Sequence, residues 1–175
     1  RSAVEEIEAN ATLLLNMVNN ILTISKAEAH KNELVVEPVD FVDLLGFIRK
    51  SLEPVAKNKG IALTAKTDAD VPVSMADWEK LRRIVENLVD NAIKYTHVGG
   101  RVDVRATFDG ACIVVSVADD GMGIDEADQE GIFERYRQAG QSPNRRYRGT
   151  GLGLAVVKEL AELHGGSVSV ASARK

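Results

Sequence analysis

The sequence predicts an α+β fold: a two-layer α/β sandwich of a mixed sheet of about five strands and three long helices, preceded by one further long helix. Hydrophobic residues make up 45% of the 175 residues, enough for the core of one domain. Two alternating segments, residues 101–108 and 112–119, are joined by Asp109-Gly110, a dipeptide typical of hairpins. Because helices do not alternate regularly with the strands, a two-layer sandwich is favoured over a doubly wound sheet.

The first segment predicts a helix over about residues 4–26, with apolar side chains spaced three and four residues apart. A lone helix of this kind cannot bury its apolar stripe, so we expect a partner helix or a second copy of the chain. The alternative is an ordinary amphipathic helix packed on its own domain. The stripe consists of Val4, Ile7, Ala11, Leu14, Leu15, Val18, Ile21 and Leu22.

The middle of the chain predicts two helices separated by strands. An extended run through Pro38 leads into the first helix, residues 61–67 predict a strand, and a short strand follows Pro72. An aspartate at each helix start is a candidate N-cap, since its side chain can accept a hydrogen bond from a free backbone N–H. The predicted boundaries are Asp40, Lys57 and Gly60 for the first helix, and Asp77 and Thr96 for the second.

The last third of the chain combines loops with short elements. Residues 132–136 (IFERY) predict a short helical stretch, and the polar residues 138–148 predict a loop. A glycine-rich run then starts a helix that ends at His164-Gly165-Gly166, and residues 167–171 (SVSVA) predict a last strand. The single cysteine, Cys112, cannot form an internal disulfide and is predicted to be a small buried apolar residue.

Composition narrows the class of protein. The net charge of −4 argues against nucleic acid as a partner, because proteins that bind it usually carry a basic surface. No apolar run approaches the roughly 20 residues that span a bilayer, and no signal peptide is visible. This composition fits a protein of the cytoplasm.

Three constellations could carry chemistry, and the first lies on the second helix. Asn87, Asn91 and Lys94 fall at i, i+4 and i+7 and therefore share one face. An asparagine carbonyl is a hard ligand for Mg²⁺, and lysine supplies a positive charge for phosphate. Taken alone, such a row is more typical of a solvated helix face.

The second constellation is Val117–Ile124 (VADDGMGI), where a strand ends in two aspartates followed by Gly-x-Gly. The glycines allow a tight turn that approaches a flat ligand, and a carboxylate can accept a hydrogen bond from an exocyclic amine. In isolation, such a segment is more typical of a calcium-like loop or a plain turn. The third is GTGLGL, residues 149–154, at a helix start, where free N–H groups and the helix dipole favour an anion. Arg145, Arg146 and Arg148 precede it. Together the three indicate a bound nucleotide with Mg²⁺.

Four segments in this order resemble the motifs of sensor histidine kinases of two-component systems. NLVDNAIKYT resembles the N box, DDGMG the first glycine box, IFERYRQ the F box and GTGLGL the second glycine box. The resemblance covers about residues 35–175 and implies the Bergerat fold, a catalytic ATP-binding domain. Residues 1–34 resemble the second helix of the dimerisation hairpin, although His30 stands where many members have glycine.

The resemblance implies a role for each motif. Asn91 would coordinate Mg²⁺, Asn87 and Lys94 would contact phosphates, and Tyr95 would lie beside the nucleotide. Asp119 would bind the adenine amine. Asp120 stands where many members have asparagine, and we expect little consequence. The remaining expected contacts are Gly121, Gly123 and Ile124 in the pocket floor, and Gly149, Thr150, Gly151, Leu152, Gly153 and Leu154 around the triphosphate. An arginine that reaches the γ-phosphate would be Arg137, Arg145 or Arg146.

The family's phosphoacceptor is a histidine followed by an acidic residue, and none of His30, His97 and His164 fits that pattern. We therefore expect a fragment, or a protein that has lost the acceptor helix. We expect transfer of the γ-phosphoryl group of ATP to a histidine outside this chain, for relay to a response regulator receiver domain. A homodimer through the hairpin helix is implied for the whole protein, and an anchor in the inner membrane stays open.

Two alternatives remain from the sequence. One is a degenerate kinase that binds a nucleotide or a partner without transfer. The other is an ATP-hydrolysing switch of the same superfamily, whose members carry a glutamate four residues before the metal-binding asparagine. Here that position is Asn87, and Glu86 points about 100° away on the helix. The sequence therefore favours phosphoryl transfer over hydrolysis.

Overall fold

The computed structural model describes residues 33–137 and 150–173, together with Ile7, Ala11, Leu14, Leu15, Val18 and Leu22. These six residues are helical and exposed, which agrees with the predicted apolar stripe; Val4 and Ile21 lie outside the described residues. The predicted boundary between residues 34 and 35 stays a prediction. Within the described part of the chain, no helix is both long and apolar enough to cross a membrane.

Residues 33–137 and 150–173 contain five strands and four helices in mixed order. The strands are β1 (Glu37–Val39), β2 (Ala62–Thr67), β3 (Ser74–Ala76), β4 (Arg101–Phe108) and β5 (Ile113–Asp119). The helices are α1 (Phe41–Asn58), α2 (Trp78–Tyr95), α3 (Glu126–Gln129) and α4 (Gly153–Leu163). Both predicted aspartate caps are confirmed: Asp40 accepts from the N–H of Val42 at 2.7 Å, and Asp77 accepts from the N–H of Lys80 at 3.0 Å.

The strands form two separate sheets, where the sequence predicted a single one. β1 pairs antiparallel with β3 over three residues of each strand. In the larger sheet, of order β2-β4-β5, β4 pairs parallel with β2 and antiparallel with β5, so the sheet is mixed as predicted. The predicted hairpin at Asp109-Gly110 is confirmed by this register.

One face of the larger sheet packs against helices, which makes a two-layer structure. On β4, Val102, Val104 and Ala106 are buried, whereas Arg101 and Arg105, which point to the opposite face, are exposed, as expected of a half-buried strand. The main core joins these residues to the apolar faces of α1 and α2. A second, smaller cluster fixes α4 on α2; it consists of Leu152, Ala155, Val156 and Leu160, packed against Ile84.

Three local predictions are wrong. Residues 167–171 do not form a strand. Alternation of polar and apolar side chains determines which face of a strand is buried, but a strand also needs a neighbour with which to form hydrogen bonds. Within the described chain, β5 pairs only with β4 and not with this segment. The short helix is α3, and residues 131–136 form turns instead. Cys112 is exposed, because it belongs to the turn that Asp109 closes by accepting from the N–H of Cys112 at 2.7 Å.

Candidate functional site

The face of α2 that carries Asn87 and Asn91 meets the start of α4. A Cβ atom on Gly153 would lie 3.0 Å from Oδ1 of Asn87 and 4.0 Å from Nδ2 of Asn91. Asn87 also donates from Nδ2 to the carbonyl oxygen of Arg83 at 2.8 Å. The absence of a side chain at Gly153 therefore lets the start of α4 approach the two amides closely, and the first and third predicted constellations lie together.

The N-terminus of α4 lies beside these amides, and its N-cap residue makes no side-chain hydrogen bond to the helix. The residue before the helix, Leu152, offers no side-chain cap, and its own N–H is 3.2 Å from Oγ1 of Thr150. Leu152 is buried, whereas Thr150, Gly151, Gly153 and Leu154 are partly exposed. Free N–H groups and the positive end of the helix dipole favour an anion at this position.

At the other end of α2, Lys94 and Tyr95 lie beside the first glycine loop. Nζ of Lys94 is 5.0 Å from the centroid of the Tyr95 ring, and both residues are partly buried. The carbonyl oxygen of Tyr95 accepts from the N–H of Met122 at 3.4 Å. A Cβ on Gly121 would lie 2.6 Å from that same oxygen, so only glycine lets the loop come this close.

The carboxylate of Asp119 lies at the C-terminal end of β5 and is exposed. It accepts from the N–H of Gly121 at 2.9 Å, which fixes the turn that follows. Gly123, further along this loop, has a φ of 69°, a conformation that favours glycine. The neighbouring Asp120 accepts from the N–H of Arg101 at 2.7 Å and so ties the loop to β4. The two aspartates therefore have different surroundings.

Two residues that the sequence analysis missed hold Ile124 in place. The N–H of Ile124 donates to Oγ of Ser172 at 2.9 Å, and Nε2 of Gln129 donates to the carbonyl oxygens of Ile124 and Ser172 at 3.0 and 2.8 Å. No sequence pattern joins these positions, because Ser172 is 48 residues from Ile124. The first glycine loop is thus fixed at both of its ends.

The predicted F box lies against the second glycine run. The N–H of Tyr136 donates to the carbonyl oxygen of Gly151 at 2.9 Å, and both residues have positive φ, 63° and 68°. Arg137 lies over Gly131, and its Nη1 pairs with the carboxylate of Glu134 at 3.1 Å. Arg145, Arg146 and Gly149 lie outside the described residues. The guanidinium of Arg137 is therefore already paired with Glu134, and the structure gives no position for Arg145 or Arg146.

The outer face of α2 carries an ion pair. Nη1 of Arg82 lies 2.8 Å from both carboxylate oxygens of Glu86. Hydrogen bonds to Glu79, and then to Glu86, outweigh burial and raise the pKa of the Arg82 guanidinium. The pKa of Asp90 is raised as well. The main cause is partial desolvation of its carboxylate by the surrounding protein, although the residue as a whole is exposed; the negative charge of Glu86 is the second cause.

No group of three or more His, Cys, Asp or Glu side chains suited to a metal ion occurs within the described ranges. A cage made of protein carboxylates is therefore not available there. Mg²⁺ can instead be bound by a single amide oxygen of the protein, with water molecules and substrate phosphates as its other ligands. The position of Asn91 beside the start of α4 fits that arrangement.

Comparison with known proteins gives a consistent set of similarities. The family model "Histidine kinase-, DNA gyrase B-, and HSP90-like ATPase" matches residues 76–175. An uncharacterized sensor-like histidine kinase of Rhizobium meliloti is 39% identical over 173 residues, which are 99% of this chain and 33% of the relative. Hybrid signal transduction histidine kinase D of Dictyostelium discoideum is 38% identical over 177 residues, which cover 97% of this chain and 11% of the relative.

Among solved structures, full-length ShkA in complex with AMPPNP is similar with a TM-score of 0.84 and 33% identity. The match covers 98% of this chain and 35% of that chain. The chain thus spans about a third or less of the length of these relatives. The predicted α+β fold is confirmed by this likeness.

Proposed function

Because the chain belongs to the family of histidine kinase-, DNA gyrase B- and HSP90-like ATPases, we propose that it binds Mg-ATP and donates the γ-phosphoryl group to a histidine. The observation that carries the proposal is the contact between Gly153 and the amides of Asn87 and Asn91. It brings two polar side chains and the start of α4 together, a combination of groups that suits a triphosphate.

The phosphates are the part of the nucleotide that this end of the site would bind. The N–H groups at the start of α4 would donate to phosphate oxygens, Asn87 would contact the phosphates, and Lys94 would add positive charge. Asn91 would hold Mg²⁺ through its carbonyl oxygen. When bound, the ion would neutralise charge on the β- and γ-phosphates.

The first glycine loop would bind the base. Asp119 is exposed at the end of β5, and its Oδ1 already fixes the Gly121 turn, so its second oxygen can accept from the adenine amine. Gly121, Gly123 and Ile124 would form the floor of the pocket. The side chain of Tyr95, partly buried beside Lys94, would lie along the nucleotide.

Transfer is favoured over hydrolysis because no described group on α2 is placed as a base for water. Asn87 is an amide, and both oxygens of Glu86 are held by Arg82. In the proposed reaction, the bond between the γ-phosphorus and its bridging oxygen breaks and ADP leaves. The unprotonated ring nitrogen of the acceptor histidine forms the new bond to phosphorus, and the ring then releases the proton of its other nitrogen to solvent. The protein's contribution is positioning and charge stabilisation.

The acceptor and the next partner lie outside the described chain. His164 is occupied, since its Nε2 accepts from the N–H of Asp77 at 3.3 Å and its Nδ1 is 2.8 Å from the carbonyl oxygen of Leu160. We propose a histidine on a partner helix as acceptor, a receiver domain of a response regulator as the onward partner, and dimerisation through the N-terminal helix. Two relatives are named histidine kinases, which supports a histidine as the phosphoryl acceptor.

The experiment is calorimetry of ATP binding with and without Mg²⁺, on this chain and on Asp119→Asn. We expect the substitution to weaken binding at least tenfold, because the amide would set a donor against the adenine amine. Asp70→Asn is the control: Asp70 is an exposed loop aspartate beyond the opposite end of β2. Equal affinity for the parent and Asp119→Asn would refute the base site.

A second step separates transfer from binding alone. The chain is incubated with radiolabelled ATP and a supplied acceptor hairpin that carries the phosphoacceptor histidine. Label on the hairpin supports the kinase. Nucleotide binding without label transfer supports the degenerate alternative instead.

A further inference from the structure

The C-terminal end of α2 is closed by groups from outside the helix. A helix leaves its last carbonyl oxygens unpaired, and a left-handed glycine often closes them. Here the following residue, Thr96, is extended (φ −77°, ψ 141°), so that device is absent. Instead, Nζ of Lys59 donates to the carbonyl oxygens of Ile93 and Lys94 at 2.7 and 2.6 Å.

The other two terminal carbonyls of α2 are also occupied. The carbonyl oxygen of Ala92 accepts from the N–H of Thr96 at 3.0 Å, and that of Tyr95 accepts from Met122 in the first glycine loop. The last turn of α2 is therefore held between the ammonium of Lys59 on one side and the glycine loop on the other. Both contacts act on the turn that carries Lys94 and Tyr95.

Lys59 itself lies in a fixed position. It is the C-cap residue of α1, its N–H points back to carbonyls of that helix, and its side chain is partly buried. The adjacent Gly60 accepts from the N–H of Gly99 at 2.9 Å, which joins the turn after α1 to the turn after α2. The ammonium is thus delivered to the end of α2 from a rigid element.

We propose that Lys59 is a positioning residue of the nucleotide site, an inference that rests on the proposed binding of ATP. Its positive charge meets the negative end of the α2 dipole, and hydrogen bonds from a charged donor are stronger than neutral ones. Lys59 does not touch the nucleotide. It sets the backbone of Lys94 and Tyr95, and through Tyr95 the approach of Gly121 and Met122.

A lysine at a helix end could also act on stability alone. That role would lower the midpoint of unfolding but leave the affinity of the folded protein unchanged. A positioning role predicts that the folded protein binds ATP more weakly. The two roles are separated by measuring affinity at a temperature where circular dichroism shows every variant to be folded.

The test compares ATP binding by calorimetry for the parent chain, Lys59→Met, Lys59→Arg and Lys57→Met. Methionine keeps the length of the side chain and removes its charge and donors, and arginine keeps both. Lys57 is the matched control. It lies on the last turn of α1, its side chain is 71% exposed, and its Nζ pairs with Glu53 on the surface of that helix at 3.0 Å. We expect about tenfold weaker binding for Lys59→Met, recovery of most of it in Lys59→Arg, and no change in Lys57→Met.

The outcomes are distinguishable. ATP affinity in folded Lys59→Met equal to that of the parent would overturn the positioning role and leave the proposed function intact. Failure of the parent itself to bind ATP would overturn the proposed function and this inference with it. If Lys59→Met does not fold, Lys59→Gln replaces it, because a shorter amide lacks the charge and cannot reach both carbonyls.

Discussion

The backbone N–H of Asp77 donates to Nε2 of His164 at 3.3 Å, which joins the start of α2 to the end of α4 across 87 residues of sequence. Nε2 must accept in this bond, so the proton of the neutral ring is on Nδ1, where it reaches the carbonyl oxygen of Leu160 at 2.8 Å. At the opposite end of α4, Gly153 lies against Asn87, which is in the middle of α2. Of the two helices that form the proposed phosphate site, α4 is therefore held on α2 at both of its ends.

Replacing Asp77 should destabilise the fold strongly. Its carboxylate is 3% exposed and accepts from the N–H groups of Val35 and Lys80 and from the Lys80 ammonium. For Asp77→Ala we expect a loss of about 3 kcal/mol in the free energy of unfolding, measured in urea. Asp40→Ala, which removes an exposed cap, should cost about 1 kcal/mol. Equal losses in the two variants would show that the buried network adds nothing.

The same carboxylate should make stability depend on acid. Burial alone would raise the pKa of Asp77, but the hydrogen bonds from Lys80 and Val35 and the Lys80 charge outweigh it and lower the pKa. A lowered pKa means that the stabilisation is complete above the unfolded value, about 3.9, and is lost as pH falls through the folded value. Unfolding free energies of the parent and Asp77→Asn should therefore begin to converge as the pH falls below about 4, and should meet below the folded pKa. Parallel curves from pH 6 to pH 3 would contradict this.

The sequence predicted those parts of the fold that depend on neighbouring residues. Spacing located α1, α2 and the hairpin, the aspartate caps followed from their side chains, and glycines marked the close approaches at Gly121 and Gly153. It missed contacts made across long separations. Lys59 meets Lys94 over 35 residues, and His164 meets Asp77 over 87, without any periodic signal.

The failed strand at residues 167–171 has a related cause. Its alternation of serine and valine fits the side-chain period of a strand, but pairing depends on which segment lies alongside. Cys112 was placed inside because apolar residues follow it, whereas the hairpin turn extends to Cys112 itself. In both cases the sequence pattern described the polarity of the side chains correctly, but it gave no information on which residues lie next to them in the fold.

Gly151 should not tolerate a side chain. Its φ is +68°, and a Cβ there would lie 2.8 Å from the carbonyl carbon of Tyr136. We expect Gly151→Ala to lose about 3 kcal/mol of stability and to weaken ATP binding, since the start of α4 must move. Gly165→Ala is the control, because Gly165 has a φ of +74° with open space around it. Gly165→Ala should lower the free energy of unfolding by about 1 kcal/mol and leave ATP binding unchanged. If both variants behaved alike, the loss would come from the positive φ alone and not from the contact with Tyr136.

Glu86 should have no part in catalysis. Its carboxylate is held by Arg82 on the outer side of α2, one helical step away from Asn87. Steady-state release of phosphate from ATP should therefore be as slow in Glu86→Gln as in the parent. A parent that releases phosphate rapidly, and loses that activity in Glu86→Gln, would support the ATP-hydrolysing alternative.

Asn91 should carry the magnesium dependence of nucleotide binding. Its amide lies one turn from Asn87 beside the start of α4, and it is the proposed protein ligand of the ion. In Asn91→Ala we expect the gain in ATP affinity on adding Mg²⁺ to fall by about tenfold or more, while adenosine, which has no phosphates, binds as before. Calorimetry with ATP and adenosine, each with and without Mg²⁺, measures this. Asn58→Ala, at the exposed end of α1, is the matched control. An unchanged response to Mg²⁺ in Asn91→Ala would remove Asn91 from the metal site, and a parallel loss of adenosine binding would indicate a general disturbance of the pocket instead.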